Sequence, residues 1–276
     1  MSEHVHIITL TKNDLRDDYM LYPLMKCWQE QGIKVTAGPV KILEADIGIL
    51  HVNRTWIPAE ALPANPLQRP ILNDRVLDIS KRHISKQLLQ PDSDYTGKVI
   101  IKTDANYYNA IRGLSTVPYL DRLRQRVANY LPWQLMRELP YKHYPILERL
   151  TDVPDWVWKR RELIVERFQP EIENGEFILR LWMFLGDHGY GAKIYSNEPV
   201  VKVNNMNRYE YLDSVPEALQ AMRIALDIDY GKLDYVMINR EPVLLDVNPT
   251  PTISTTVKPS ARLLDLASGL DCYSTA

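Results

Sequence analysis

The chain has 276 residues, with 33 Lys and Arg against 35 Asp and Glu, a formal net charge of −2 and 45% hydrophobic residues. That length can bury a sizeable core as one large domain or two to three small ones. A charge balance this close to zero excludes a bulk polyanion-binding surface, so no nucleic-acid partner is expected. No apolar stretch approaches membrane-spanning length, and two cysteines exclude a disulfide scaffold.

Met1-Ser-Glu-His runs straight into an apolar strand over 4–10, so no secretory leader and no membrane partner are expected, and a reducing cytoplasm is the expected compartment. His4 and His6 alternate on that strand and read as packing or polar-face residues. Tyr19, Leu21, Leu24, Met25 and Trp28 recur at helical spacing over 17–31, with Gly32 placed to end the helix and Cys27 in its apolar pattern. Residues 33–40 and 46–52 read as strands, completing a β-α-β-β unit typical of an open α/β layer, without a glycine-rich dinucleotide fingerprint. Residues 56–69 are rich in Pro and Ala and read as a linker. Beyond it, 78–89 reads as a helix, 98–103 as a strand, 119–131 as a basic amphipathic helix, and 137–161 as an irregular, Pro-broken stretch. Residues 162–168 read as a strand, 177–186 and 190–195 as a hairpin, 216–226 as a helix and 260–268 as a last helix.

The most informative stretch is Lys232-Leu-Asp-Tyr-Val-Met-Ile, a polar turn at Asn239, and Val243-Leu-Leu-Asp-Val-Asn248-Pro. Two apolar runs around a polar turn predict a β-hairpin. Asp246 and Asn248 are two apart and share a strand face. Asp234 joins that face only with an odd-numbered loop or a bulge. Two carboxylates and an amide oxygen suit Mg²⁺, which takes its remaining oxygens from water and phosphate; the plain alternative is that these residues cap turns. Lys102 ends an apolar strand, either as a phosphate-binding charge or as a snorkelling lysine. Arg180 sits inside Phe177-Ile-Leu-Arg-Leu-Trp-Met-Phe, where a buried charge needs a carboxylate or a bound phosphate. Glu166-Arg-Phe168 is a polar-aromatic hinge whose backbone can meet a base edge.

In this order the pieces resemble the ATP-grasp superfamily, in the branch of glutathione synthetase-like and ribosomal-protein-modifying (RimK-type) carboxylate–amine ligases. Leu72-Asn-Asp-Arg75 with Lys81, Val99-Ile-Ile-Lys102, Val165-Glu-Arg-Phe-Gln-Pro-Glu171 with Gly175 to Arg180, and Leu233-Asp-Tyr through Leu245-Asp-Val-Asn248-Pro carry the likeness, which covers about residues 71–270. It implies an α/β (α+β) ATP-grasp fold. Residues 1–70 would form a short Rossmann-like domain preceding the grasp, 71–168 a small subdomain with an aromatic and basic insertion at 119–161, and 169–276 a metal and nucleotide subdomain.

The resemblance also implies roles. Lys102 and Lys81, with Arg82 as the alternative to Lys81, would hold phosphates; Glu166 and Phe168 would form the adenine hinge. Glu173 or Glu176 would meet the ribose. Asp234, Asp246 and Asn248 would bind two Mg²⁺ ions, with Mn²⁺ as the alternative metal. Arg180, helped by Lys193, would face the transferring phosphate. ATP would convert a carboxylate into an acyl phosphate, an amine would displace phosphate, and ADP and phosphate would leave. Small-molecule or peptide acids and amines are the implied substrates, and a homodimer is compatible. Two departures stand out: the loop 103–113 has one late glycine where the family has several, and Asp246 replaces a usual Glu. They keep two other readings in view, a hydroxyl kinase of the same fold and a non-catalytic nucleotide-binding module. Arg122, Arg124 and Arg126 read either as an attraction for an acidic substrate or as a solvated helix face.

Overall fold

In the computed structural model, residues 4–105, 132–137, 139, 144–253 and 260–274 are described. The expected helix over 119–131 and the loop from 106 onward lie outside them. The chain forms two compact units, Met1–Asp78 with Ile172–Ala276, and Ile79–Glu171.

The first unit contains two sheets. Strands β1 (His4–Ile8), β2 (Lys34–Gly38), β3 (Ile47–Leu50) and β4 (Ile71–Leu72) pair in parallel in the order β2-β1-β3-β4. His4 Nε2 and His6 Nδ1 both meet Thr36 Oγ1, at 2.8 and 2.7 Å, so these histidines do line a polar face. Helix α1 (Leu21–Glu30) buries Leu21, Leu24, Cys27 and Trp28. It starts four residues later than its periodicity suggests. Met20 N–H donates to Pro251 O, Ile253 N–H donates to Asp18 O, and Tyr19 bridges Thr252, so residues 18–20 are committed to a strand-like contact.

The second sheet is antiparallel, in the order β11-β10-β9-β12-β13. Its strands are β9 (Glu176–Leu185), β10 (His188–Ser196), β11 (Arg208–Leu212), β12 (Tyr230–Ile238) and β13 (Glu241–Asn248), and the short β8 (Glu171–Glu173) also pairs with β9. Val5, Ile7, Leu24 and Trp28 from the first part of the chain share one core with Met183, Leu185, Tyr230 and Leu266 from the last part. Trp28 Nε1–H donates to Ala267 O at 2.9 Å and ties α1 to the C-terminal helix. The N-terminal α/β layer is thus packed into the same unit as the large antiparallel sheet.

The second unit is a three-stranded antiparallel sheet, β6-β5-β7, with β5 (Val99–Thr103), β6 (Ile146–Leu147) and β7 (Leu163–Arg167). Helix α2 covers only Lys81–Ile84, less than the 78–89 expected. The reason is competition from β7: Leu89 N–H donates to Val165 O, Leu88 bridges Glu166, and Arg167 N–H donates to Gln87 O. Short helices α3 (Trp133–Met136) and α4 (Asp155–Trp158) follow in this unit; α5 (Glu217–Ala225) and α6 (Ala261–Ser268) belong to the first. Ser260 caps α6, its hydroxyl accepting from Leu263 N–H. Among the described residues no helix is long and apolar enough to cross a membrane.

Candidate active site

Strands β12 and β13 form the expected hairpin. Asn239 and Arg240 make its two-residue turn, both with left-handed φ values of 50° and 68°. An even loop alone would place Asp234 opposite Leu245 and send Asp246 to the other face. Instead the register shifts between Asp234 and Tyr235: Tyr235 stands opposite Leu244, and Asp234 opposite Asp246. Leu245 is the extra residue of a β-bulge. Lys232 stands opposite Asn248. Opposed residues share a face, so Lys232, Asp234, Asp246 and Asn248 project together.

Lys232 Nζ donates to Asp234 Oδ2 at 2.8 Å, while Asp234 Oδ1 is buried with no hydrogen-bond partner. Burial pushes the Asp234 carboxyl above its ordinary range; the Lys232 ammonium works against this and the Asp246 charge adds to it. Asn248 Oδ1 accepts from Thr250 N–H at 2.9 Å, so it does cap a turn, and a second lone pair remains on that oxygen. An orphaned carboxylate oxygen beside a second carboxylate and an amide oxygen fits a hard, oxygen-seeking cation. No group of three or more His, Cys, Asp or Glu suited to a metal occurs among the described residues, as befits a set of two carboxylates and one amide. Lys232 was not singled out from the sequence, although its place two residues before Asp234 on a strand puts it on the same face.

Arg180 and Lys193 lie elsewhere on the sheet. They stand opposite each other, and Arg180 also stands opposite Tyr235, whereas Asp234 stands opposite Leu181. Strand alternation therefore puts Arg180 and Lys193 on the sheet face that Asp234 does not use. One residue of offset separates them from a role beside the metal ligands. Lys193 Nζ pairs with Glu173 Oε2 at 3.1 Å. Glu176 accepts from Asn207 Nδ2 and from Arg208 Nε, each at 3.2 Å, and these bonds hold its carboxyl below the usual range. Both candidate ribose carboxylates are therefore engaged by neighbours of their own sheet.

In the second unit, Ile100 pairs with Glu166 and Lys102 with Ile164, so Lys102 and Glu166 share a face. They form an ion pair, Nζ to Oε2 at 2.8 Å, with side chains 12% and 3% exposed. Glu166 Oε1 is buried without a hydrogen-bond partner. The hinge backbone differs from expectation: Arg167 N–H already donates to Gln87 O and Phe168 N–H to Lys98 O, at 2.9 and 2.8 Å. Neither N–H is open to a base edge. Of the two adjacent cations, Arg82 is a structural tie. Its N–H donates to Asp104 Oδ1 at 2.9 Å, its guanidinium donates to Leu163 O at 2.6 Å, and Asp104 Oδ2 lies at 3.4 Å from its Nε. Lys81 beside it is buried.

No family model matches the chain, and no curated protein matches it in sequence. Solved structures do match. A RiPP-associated ATP-grasp ligase from Chryseobacterium gregarium, in complex with ADP and a leader and core peptide, is 9% identical over 96% of each chain, with a TM-score of 0.55. The ATP-grasp ligase PsnB, complexed with minimal precursor, Mg and ADP, is 10% identical over 99% of this chain and 97% of that one, also at 0.55. A RimK domain ATP-grasp protein from Sphaerobacter thermophilus DSM 20745 is 12% identical over 98% of this chain and 99% of that one, at 0.50. Likeness at such low identity is likeness of fold. The chain has the ATP-grasp fold, with its parallel and antiparallel sheets, over nearly its whole length.

Proposed function

We propose that this chain is an ATP- and Mg²⁺-dependent carboxylate–amine ligase that activates its acid as an acyl phosphate and releases ADP and phosphate. The observation that carries the reading is the bulged hairpin, which gathers Asp234, Asp246 and Asn248 on one face and leaves a buried Asp234 oxygen without a partner. One structural neighbour was solved with a leader and core peptide and another with a minimal precursor, which makes a peptide the favoured substrate class here.

In this reading Asp234, Asp246 and Asn248 hold Mg²⁺, which supplies charge neutralisation at the phosphates. Lys232 is the cation of that face, and Arg180 with Lys193 on the other face remain the candidates for the transferring phosphate. Lys102 and Lys81 hold nucleotide phosphates; Glu166 and Phe168 contact the base, through side chains rather than the committed N–H groups. Glu173 or Glu176 meets the ribose by giving up a present partner. A carboxylate cannot expel oxide, so γ-phosphoryl transfer to its oxygen comes first and forms a mixed anhydride. The amine nitrogen then attacks the acyl carbon and phosphate departs. No side-chain nucleophile is required; the protein aligns the reactants and offsets charge.

The test is the shift in melting temperature with AMP-PNP, with and without Mg²⁺, for the wild type and Asp246→Asn. Ligand binding to the native state raises the melting temperature by mass action. A Mg²⁺-dependent shift in the wild type, lost in the variant, supports the site; an unchanged variant sinks it. Product analysis then settles the class: a ligase releases ADP and free phosphate together, a kinase ADP alone.

A further inference from the structure

Asn248 is linked to the N-terminal part of the chain by hydrogen bonds that the reaction itself does not use. Thr250 Oγ1 lies 3.4 Å from Asn248 Oδ1 and 3.4 Å from Asn53 Oδ1. Asn53 Nδ2 donates to Tyr19 Oη at 3.0 Å. Tyr19 is held by its backbone bridge to Thr252, by Arg16 at 4.7 Å from its ring centroid, and by the edge of His51 at 4.5 Å. His51 is buried, and burial lowers its pKa to about 4, so it adds no charge at neutral pH. Tyr19, Asn53, Thr250 and Asn248 all belong to the first compact unit.

The Thr250 hydroxyl has one proton and two equidistant acceptors. If that proton points to Asn248, it occupies the lone pair left after the Thr250 N–H bond. If it points to Asn53, that lone pair is open to a cation. Asn53 presents its oxygen to Thr250 because its NH₂ is fixed on Tyr19. We infer that Asn53, oriented by Tyr19, is a positioning residue that draws the Thr250 proton away from Asn248 and so sets the affinity of Asn248 for the metal. The inference rests on the metal reading of the hairpin and extends it to a part of the chain far away in sequence. Outer-shell partners of metal ligands typically govern affinity by about 10- to 100-fold.

The experiment titrates Mg²⁺ at fixed AMP-PNP and reads the midpoint of the shift in melting temperature. Asn53→Ala leaves Asn248 as the sole acceptor for the Thr250 proton and should raise the midpoint about tenfold. Adding Thr250→Val removes the competing hydroxyl, so the double variant should return toward the wild-type midpoint. A purely structural role predicts the opposite, since a second truncation would add to the damage. Asn53→Asp keeps an acceptor for the Thr250 proton and should not raise the midpoint. Should Asn53→Ala fail to fold, Tyr19→Phe removes one oxygen and should raise the midpoint in the same direction. A wild-type midpoint in both Asn53→Ala and Tyr19→Phe, or a double variant no better than the single, overturns the inference while the hairpin site stands. No Mg²⁺ dependence in the wild type itself overturns the metal reading and this inference with it.

Discussion

Each compact unit holds a lysine against a carboxylate at 2.8 Å, and the two pairs are built differently. In the three-stranded sheet, Lys102 and Glu166 are buried one to one. On the hairpin of the large sheet Lys232 meets two carboxylates, Asp234 and Asp246; in both places one carboxylate oxygen, Glu166 Oε1 or Asp234 Oδ1, is buried without a hydrogen-bond partner. The first arrangement is already neutral and can admit an anion only by releasing Lys102. The second sets two carboxylates and an amide oxygen beside one lysine, a donor set that suits a cation. Likeness of contact distance therefore hides opposite expectations for what each site takes.

The largest effect should come from breaking the neutral pair on one side. Glu166→Ala strands a buried ammonium and should cost about 3–5 kcal/mol of stability, read by denaturant unfolding. Lys102→Met has similar length and no charge. It should lower AMP-PNP affinity about 10- to 100-fold in a binding titration, by loss of a charge-assisted contact. If Lys102→Met binds nucleotide like the wild type, Lys102 is a structural ion pair only, and the contrast between the two units collapses.

A smaller effect separates the pairs by pH. The folded-state pKa of Asp234 is raised, first by burial. The folded state therefore retains this proton above the pH at which the unfolded chain has lost it. Stability contributed by the protonated form is greatest in acid, falls as pH rises past the ordinary carboxylate pKa, and levels off above the raised value. Asp234→Asn should flatten that fall, measured as unfolding free energy between about pH 4 and pH 7. An identical slope in wild type and variant would mean that Asp234 is charged at no net cost and that the hairpin resembles the Lys102–Glu166 pair after all.

The legible part of this molecule is what depends on spacing within one strand. Asp246 and Asn248 share a face whatever their partner strand does, so they could be paired from sequence, and the need for a bulge to bring in Asp234 followed from parity. The position of the bulge did not follow, because Leu244 and Leu245 are chemically alike. The face of Arg180 could not be read from sequence for the related reason that it depends on register with β12, which no local pattern reports. Strand β11 was missed although Arg208-Tyr-Glu-Tyr-Leu alternates charged and aromatic residues; it is a short, exposed edge with no buried apolar run. The helix over 78–89 was overextended because residues 87–89 are drawn onto β7, a tertiary competition that overrides local propensity. The hydrogen-bonded chain from Tyr19 to Asn248 spans residues far apart in sequence and is visible only after folding.

The smallest expected effect tests whether bulge or turn sets the face that distinguishes the hairpin. Asn239 and Arg240 both adopt positive φ in a two-residue loop, the geometry of a type I′ turn, in which glycine is favoured at the second position. Arg240 bears the left-handed strain of a side chain, about 1–2 kcal/mol, which glycine escapes at an unfolded-state entropy cost of about 0.5–1 kcal/mol. Arg240→Gly should therefore stabilise by about 0.5 kcal/mol, a rise of about 1–2 °C in melting temperature. The turn controls pairing from Tyr235 to Ile238, while Asp234 and Asp246 lie beyond Leu245. Tightening the turn should leave the Mg²⁺ midpoint where it is. A shifted midpoint in Arg240→Gly would mean that the register at Asp234 is propagated from the turn through the bulge, and that the gathering of the oxygen ligands is a property of the whole hairpin and not of one extra leucine.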